Sequence, residues 1–332
     1  MTQADQLYGA CHTSLVQCLL TVAEHCPELP ANSPPLHRMQ SLVQVLLSIS
    51  PEHGETPVSG LSVAQAITIL STSQDLLATL SEGEIEAGET GRISEEMKQA
   101  LTETVADLKS RLGAVLRQKQ AHRVCGLYVI IDPEITSGRD PLDIAKAVIN
   151  GGAKMLQLRD KLRDKGDILP LAIELQKLCR ANDADLIIND HADLASAVGS
   201  AGLHVGQTDL PVAQARKALS PQQVIGRSNH EIEELTESLE MGADHVAFGA
   251  IYATRTKGVG RPPQGPDRLR RAKEMTQLPL VAIGGINAEN VAPVVQAGAD
   301  AICVTAAVGL AQEPEAAAAR LVEAIRVAGG RV

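Results

Sequence analysis

The sequence predicts an α/β protein, a (β/α)8 TIM barrel preceded by a small all-α domain. Residues 1–122 carry apolar side chains three or four positions apart, which is typical of amphipathic helices. From residue 123 onward, short apolar runs alternate with amphipathic stretches, which favours β/α units around a parallel sheet. A chain of 332 residues also has room for two domains of about 150 residues each. We therefore predict a helical domain at 1–122 and a barrel domain at 123–332.

The N-terminal domain is predicted to hold four helices, at 7–22, 37–49, 62–80 and 94–120. The proline-rich stretch that follows Cys26 ends the first helix, because proline lacks the N–H that a helix needs. Ser62 and Gln65 have the spacing of a capping box at the start of the third helix. Four such helices indicate a small bundle. We see no catalytic motif in it and interpret it as a docking or oligomerisation module.

The barrel domain is predicted to contain eight strands separated by helices. The strands are 126–132, 153–160, 185–190, 202–206, 224–228, 245–251, 278–285 and 301–308. The helices are 141–150, 168–181, 191–198, 211–219, 231–241, 266–275, 288–297 and 314–328. A doubly wound open sheet is the alternative, since strand order cannot be derived from one sequence.

Composition and charge argue against several functional classes. Forty Asp and Glu face 30 Lys and Arg, for a net charge of −10, which is unfavourable for binding a nucleic-acid backbone. With three Tyr, one Phe and no Trp, the chain lacks a surface on which bases could stack. No apolar stretch reaches about 18 residues, and the N-terminus lacks the basic region of a signal peptide. We therefore expect a cytoplasmic protein that binds neither membrane nor nucleic acid, with its six cysteines as core residues.

Chemistry in a (β/α)8 barrel collects at the C-terminal ends of the strands, so the residues there are the candidate site. The second strand ends with Gln157, Arg159 and Lys161, which alternation places on one side. An amide and two cations suit a phosphate or diphosphate. A solvated strand end is the structural alternative.

Carboxylates follow the next two strands. Asn189 and Asp190 end the third strand, and Asp209 follows the fourth. Neighbouring strands lie about 4.8 Å apart, so Asp190 and Asp209 can reach one hard cation. Mg²⁺ is typically held by one or two carboxylates together with substrate phosphates. Alternatively, each aspartate could cap the helix that follows it.

Hydroxyl and cationic side chains follow the fifth and sixth strands. Ser228 can bind a ligand or cap the next helix, and His230 is a lone histidine whose role stays open. Thr254, Thr256 and Lys257 follow the sixth strand and can bind an anion. The glycine- and proline-rich stretch after them has the composition of an active-site loop or of an ordinary surface loop.

The last two strands end in small residues. Gly284 and Gly285 follow the seventh, and Thr305 and Ala306 lie near the end of the eighth. Loops at these positions often bind phosphate through backbone N–H groups. The whole pattern suggests two phosphate sites that face each other, one of them assisted by a metal. Such a site suits the coupling of a diphosphate-bearing electrophile to a phosphate-bearing nucleophile.

Residues 126–328 resemble the thiamine-phosphate synthase family over its whole length. The motifs that carry the resemblance are Gln157-Leu-Arg-Asp-Lys161, Asn189-Asp190, His204-Val-Gly-Gln-Thr-Asp209, Ser228-Asn-His230, Thr254-Arg-Thr-Lys257 and Ala282-Ile-Gly-Gly285. The resemblance implies a TIM barrel and the Mg²⁺-dependent coupling of a pyrimidine diphosphate with a thiazole phosphate. The products would be thiamine phosphate and pyrophosphate.

The resemblance also implies roles for individual residues. Those expected at the pyrimidine diphosphate are Gln157, Arg159, Lys161, Asn189, Ser228 and Lys257, with Arg159, Lys161, Ser228 and Lys257 as catalytic groups. Asp190 and Asp209 would hold Mg²⁺. Those expected at the thiazole phosphate are Thr254, Thr256, Gly285, Thr305 and Ala306. Barrels of this family are often homo-oligomers, so a second copy of the chain is a candidate partner.

Two features depart from the family pattern. Thr305-Ala306 stands where the family commonly has Val-Ser, which matters only if the serine hydroxyl binds the phosphate. The N-terminal domain has no counterpart in the minimal family enzyme. Two other functions remain as hypotheses: a thiazole tautomerase that uses His230 as its base, and a metabolite sensor in which the barrel binds and the helical domain signals.

Overall fold

A computed structural model of the protein describes residues 3–26, 29, 33–49, 61–82, 93–254 and 262–332. The chain divides into two compact units, Met1–Leu116 and Arg117–Val332. The division falls within the helix that the sequence analysis ends at residue 120. None of the helices in the described ranges combines the length and apolarity that a bilayer span requires.

The first unit is helical. Its helices are α1 (Gln3–His25), α2 (Pro34–Ile49), α3 (Val63–Glu82) and α4 (Glu95–Ala121), the last of which ends in the second unit. The four predicted helices are thus confirmed, each slightly longer than predicted or shifted at one end. Helix α1 packs against both α2 and α3, and Leu15, Leu70 and Leu108 are fully buried between the helices. Each such side chain contributes roughly 1.5–3 kcal/mol when it leaves water.

The capping box at the start of α3 is present. The Gln65 N–H donates to Ser62 Oγ at 3.2 Å, and the Ser62 N–H donates to Gln65 Oε1 at 2.9 Å. These reciprocal bonds satisfy two backbone donors that would otherwise lack acceptors at the helix start.

The second unit is a closed barrel of eight parallel strands in sequential order, so the open-sheet alternative is excluded. The strands are β1 (Gly126–Ile131), β2 (Met155–Leu158), β3 (Asp185–Asn189), β4 (Gly202–Val205), β5 (Val224–Asn229), β6 (His245–Gly249), β7 (Leu280–Ile283) and β8 (Ala301–Val304). The helices are α5 (Pro141–Asn150), α6 (Lys165–Ala181), α7 (Ala192–Val198), α8 (Val212–Ala218), α9 (Ile232–Glu240), α10 (Gly265–Glu274), α11 (Val291–Gln296), α12 (Ala306–Gly309) and α13 (Pro314–Val327).

Alternation along the strands divides the apolar residues between two cores. In β1, Leu127, Val129 and Ile131 pack in the layer between strands and helices, whereas Tyr128 and Ile130 belong to the barrel interior. This period of two is the geometry of an extended chain. The same alternation puts Met155 of β2 and Ile187 of β3 in the barrel interior. Gln157 and Asn189, two positions further along these strands, therefore face the barrel mouth.

The predicted eighth strand was too long. Strand β8 ends at Val304, and residues 306–309 form the short helix α12 instead of continuing the strand. An apolar run as short as Ala-Ala-Val has no period that separates a strand from a helix. The tertiary structure selects the helix, and a Cβ on Gly309 would lie 2.3 Å from the Ile135 carbonyl oxygen.

At the N-terminal end of the barrel, Asp244 joins three elements. Its carboxylate accepts hydrogen bonds from Arg117 Nε at 3.1 Å, Arg216 Nη2 at 2.5 Å and the Ile225 N–H at 2.8 Å. Its side chain is only 13% exposed, so these partners replace water around the charge. The contact attaches Arg117, the first residue of the second unit, to the base of the barrel.

We expect Asp244→Ala to lower the free energy of unfolding by about 3 kcal/mol, because it leaves two partly buried guanidinium groups without their counter-charge. Urea denaturation would measure this change. In the exposed pair of Glu174 and Lys177, Glu174→Ala should change stability by less than about 1 kcal/mol. Equal effects of the two substitutions would contradict a structural role for Asp244.

His245 lies inside the barrel at the start of β6 and is fully buried. A Cβ on its strand neighbour Gly226 would lie 2.0 Å from His245 Nε2, so only glycine leaves room for the ring. Neither ring nitrogen has a hydrogen-bond partner among the described residues. Burial lowers the pKa of His245 to about 4, although the nearby Asp244 carboxylate acts in the opposite direction. The ring is therefore neutral at physiological pH.

This pKa makes stability depend on pH. Below about pH 6.5, His245 binds a proton in the unfolded chain but stays neutral in the folded chain. The free energy of unfolding therefore falls as the pH drops toward 4. The loss attributable to His245 should reach about 3 kcal/mol. We expect His245→Leu to flatten the pH dependence measured by urea denaturation between pH 7 and 4. His122→Gln, at an exposed position, is the matched control and should leave the slope unchanged.

Candidate active site

The C-terminal ends of the strands surround a cavity of about 1090 Å³, part of which is open to solvent. Eight of the predicted site residues line it: Gln157, Arg159, Asn189, Ser228, Thr254, Gly285, Thr305 and Ala306. Its floor is apolar and includes Ile130, Val281 and Ile283. Lys161, Asp190 and Asp209 are not among its lining residues and form a separate cluster. Thr256 and Lys257 lie outside the described residues.

Gln157 is held from the neighbouring strand. Its Nε2 donates to the Tyr128 hydroxyl oxygen at 2.8 Å, and Gln157 is only 3% exposed. Burial raises the pKa of Tyr128 well above 10, so the hydroxyl stays neutral. The bond fixes one end of the amide beside the cavity. Tyr128 is not among the predicted site residues, because it belongs to no motif and its only signal is a position one strand before Gln157.

Arg159 is held in a similar way. Its Nη1 donates to Asp132 Oδ2 at 2.5 Å, and the Asp132 side chain is only 4% exposed. Asp132 follows β1 directly, and it also lines the cavity. Asp132 is not among the predicted site residues, although it occupies the same kind of strand-end position as Asp190. The available signal in the sequence is a carboxylate at the end of the first predicted strand, 126–132.

Lys161, Asp190 and Asp209 come together at the ends of β2, β3 and β4. Lys161 Nζ donates to Asp190 Oδ2, and Asp209 Oδ2 accepts a bond from the Gly206 N–H at 2.7 Å. Asp190 has a left-handed backbone with φ of 63°, a conformation that aspartate and asparagine adopt more readily than most residues. The predicted proximity of the two carboxylates is present, since the two side chains are in hydrogen-bond contact.

The two carboxylates influence each other's protonation. Burial raises the pKa of Asp190, and the adjacent Asp209 raises it further, while Lys161 acts in the opposite direction. Burial also acts to raise the pKa of Asp209, but hydrogen bonds from Asp190 and the Gly206 N–H outweigh it and leave the pKa lowered. The pKa of Asp190 is therefore raised and that of Asp209 lowered by their contact. Two carboxylates in hydrogen-bond contact supply the hard oxygen ligands that suit Mg²⁺.

Ser228 and His230 lie on the next side of the mouth. The Ser228 Oγ is 2.8 Å from His204 Nε2, so the side chain bonds to the adjacent strand β4 and is not the helix cap that was the alternative reading. His230 Nδ1 is 2.8 Å from the Gly249 carbonyl oxygen. Because a carbonyl can only accept, His230 carries a proton on Nδ1. His204 is a further residue for which the sequence analysis proposed no role.

The ends of β7 and β8 are made of small residues and backbone. Gly285 has φ of 66°, and a Cβ there would lie 2.6 Å from the Ala253 carbonyl oxygen. The loops after β6 and β7 can pack closely for this reason. Thr305 occupies the position before α12 without capping it through its side chain. The Val308 and Gly309 N–H groups donate to the Thr305 carbonyl oxygen at 3.3 and 2.8 Å, and the first two residues of α12, Ala306 and Ala307, line the cavity.

These features define a class of protein before any relative is considered: a (β/α)8 enzyme whose mouth carries cations and carboxylates on one side and backbone donors on the other. Residues 127–308 match the family described as thiamine monophosphate synthase. The chain belongs to this family, and it is therefore a transferase of thiamine biosynthesis. Residues 1–126 lie outside the matched range.

Individual relatives agree with this assignment. The thiamine-phosphate synthase of Shouchella clausii is 41% identical over 202 residues, which are 61% of this chain and 97% of the relative. The thiamine-phosphate synthase of Natronomonas pharaonis is 38% identical over 203 residues, 60% of this chain and 94% of the relative. Among solved structures, the thiamine phosphate pyrophosphorylase from Pyrococcus furiosus is 30% identical with a TM-score of 0.58, covering 63% of this chain and 99% of that one.

We expect Tyr128→Phe to lower the free energy of unfolding by about 1–3 kcal/mol, since it leaves the buried Gln157 amide without its acceptor. Urea denaturation would measure this. Tyr252→Phe is the matched control, because the Tyr252 hydroxyl donates to the Asn290 carbonyl oxygen at a half-exposed position. A larger loss for Tyr252→Phe than for Tyr128→Phe would contradict the role assigned to Tyr128.

Proposed function

We propose that the chain is a thiamine-phosphate synthase that requires Mg²⁺. It would couple 4-amino-2-methyl-5-hydroxymethylpyrimidine diphosphate with 4-methyl-5-(2-phosphooxyethyl)thiazole, or with the carboxylated form of the thiazole, which would also release CO2. The products would be thiamine phosphate and pyrophosphate. Family membership supports the reaction type, and the arrangement of charges around the mouth supports the assignment of each substrate to a side.

The observation that supports the proposal is that two groups with the chemistry to bind anions follow strands on opposite sides of the barrel. In a closed barrel of eight sequential strands, β3 lies across from β7. Lys161, Asp190 and Asp209 follow β2 to β4, whereas Gly284 and Gly285 follow β7. One region suits a metal-bound diphosphate, and the other suits a phosphate bound by backbone donors. An enzyme that joins two phosphorylated substrates needs both.

Asp190 and Asp209 would hold Mg²⁺, and the contact between their carboxylates supports this assignment. When bound, Mg²⁺ would supply Lewis-acid stabilisation of the negative charge on a departing diphosphate. The fit rests on the chemistry of the donors, two carboxylates that repel each other unless a proton or a cation lies between them.

The cationic side chains of the mouth would bind and stabilise the diphosphate. Lys161 is paired with Asp190 at the rim, and Arg159 lines the cavity. Both would donate hydrogen bonds to phosphate oxygens as negative charge builds on the leaving group. Gln157 and Asn189 would orient the same substrate through their amides. Lys257 is proposed on the resemblance alone, because it lies outside the described residues.

The proposed reaction breaks the bond between the pyrimidine methylene carbon and the diphosphate oxygen, and the electron pair leaves with pyrophosphate. The amino group of the pyrimidine would stabilise the carbocation. The thiazole nitrogen then donates its lone pair to the same carbon, which forms the new C–N bond. Ser228, oriented by His204, would hydrogen-bond the diphosphate or the pyrimidine. Thr254, Gly285 and the Thr305–Ala306 backbone would hold the thiazole phosphate in line.

We expect purified protein to form thiamine phosphate from the two substrates only when Mg²⁺ is present. Asp190→Asn and Asp209→Asn should each lower kcat/KM by about 100-fold or more, because each removes one of two carboxylate ligands. Asparagine preserves the left-handed backbone at 190 and an acceptor for the Gly206 N–H at 209. Product formation with and without EDTA, followed by chromatography, would measure the effect.

Asp193→Asn is the matched control, since Asp193 is exposed and pairs with Lys165 nearby; it should retain wild-type activity. Turnover that is unaffected by EDTA would contradict the Mg²⁺ requirement. Absence of product from a folded protein that binds either substrate would favour the tautomerase or the sensor. The tautomerase would be recognised by isomerisation of the thiazole substrate that is lost in His230→Gln.

A further inference from the structure

The carboxylate of Asp132 is fully engaged although it belongs to none of the predicted ligand sets. Oδ1 accepts a hydrogen bond from the Glu134 N–H at 3.0 Å, and Oδ2 accepts one from Arg159 Nη1 at 2.5 Å. The Asp132 side chain is 4% exposed and the Arg159 side chain 19%. Burying a carboxylate to this degree is unfavourable unless a cation compensates it. Arg159 is the cation that does so here.

This pair leaves part of the guanidinium of Arg159 available. A guanidinium has five N–H donors in a rigid plane, and Asp132 uses one of them. Arg159 Nε is buried and has no hydrogen-bond partner among the described residues. A buried donor without an acceptor is unfavourable by about 1–3 kcal/mol. Arg159 and Asp132 both line the cavity, so a ligand oxygen there can accept from guanidinium N–H groups that Asp132 does not use.

We propose that Asp132 is a positioning residue that holds Arg159 ready for the diphosphate group of the substrate. An arginine stem has several rotatable bonds, and ordering it on binding would reduce affinity. Asp132 orders the Arg159 side chain before the anion binds, by accepting a hydrogen bond from Nη1. The other N–H groups of the guanidinium are then left for the anion. The assignment of the substrate rests on the proposed function, whereas the effect on anion binding does not.

A purely structural role as a cap does not explain why position 132 carries a charge. Asp132 caps the 3₁₀ turn Pro133–Ile135 through Oδ1, and asparagine caps as well as aspartate. Asp140 provides the comparison within the same loop region. It accepts a bond from the Leu142 N–H at 2.8 Å and caps α5 in the same way, but it is exposed. The charge at 132 is needed for Arg159, whereas the cap at 140 needs only an acceptor.

The experiment compares Asp132→Asn with Asp140→Asn in the full-length protein. Calorimetric titration with inorganic pyrophosphate in the presence of Mg²⁺ should show about tenfold weaker binding for Asp132→Asn, and no change for Asp140→Asn. In the coupling assay, Asp132→Asn should lower kcat/KM for the pyrimidine diphosphate by a similar factor and leave the KM for the thiazole phosphate unchanged. Unfolding curves would show that both variants are folded.

A double-mutant cycle tests whether Asp132 acts through Arg159. Arg159→Gln should weaken pyrophosphate binding, and adding Asp132→Asn to it should cause no further loss. Additive losses would overturn the proposal, as would wild-type affinity in Asp132→Asn. If Asp132→Asn does not fold, Asp132→Glu keeps the charge but displaces it, and the proposal requires that it also weakens pyrophosphate binding.

The experiments distinguish a failure of the proposed reaction from a failure of the proposed role of Asp132. A wild-type protein that binds pyrophosphate but forms no thiamine phosphate contradicts the proposed reaction, while the cycle still decides the coupling of Asp132 to Arg159. A wild-type protein that binds no pyrophosphate in the presence of Mg²⁺ overturns the proposed role of Asp132 directly.

Discussion

Closure of the parallel sheet is the constraint on which the rest of the barrel depends. Eight strands in sequence order leave no edge, and every second side chain on each strand must enter a narrow interior. Polar groups that enter it lose water, and they either bond to a partner on a strand about 4.8 Å away or, like His245, stay neutral. The pairs Tyr128 with Gln157 and His204 with Ser228 are such partners. The same geometry that excludes water therefore also orients the groups that face the cavity.

Depth within the barrel separates neutral from charged groups. Toward the base, burial lowers the pKa of His245 and raises that of Tyr128, so both stay uncharged. At the mouth, Lys161, Asp190 and Asp209 lie where water and ligands can compensate their charges. The neutral interior strengthens interactions between charges at its rim, because less solvent screens them. A site for anionic substrates is thus built on an interior that tolerates no uncompensated charge of its own.

Strand β1 contributes indirectly to the proposed chemistry. Tyr128 on β1 bonds to Gln157 on β2. Asp132, directly after β1, bonds to Arg159, directly after β2. The two strands pair in register, with Tyr128 beside Met155 and Ile130 beside Gln157. A supporting residue one strand away can orient a ligand-binding side chain without touching the ligand. Such residues matter to affinity because a side chain that is already ordered loses less entropy on binding.

The sequence alone determined the class of fold, the order of its elements and most of the candidate site. Periodicity distinguishes helices from strands over long segments, as for α5 at Pro141–Asn150, because burial on one face imposes a period on the chain. The polar and charged residues that follow the predicted strands identified the candidate site, since the C-terminal ends of the strands of a barrel lie together at one mouth. The motif resemblance then led to the correct family.

The tertiary structure alone decided which side chains support that site. Contacts between Asp132 and Arg159 or between Tyr128 and Gln157 join residues that are 27 and 29 positions apart, and no local pattern records such a pairing. It also decided the end of β8, where a short apolar run fits a strand and a helix equally well until Gly309 packs against Ile135. Local periodicity reports which face of an element is buried, whereas packing between elements determines what each buried group touches.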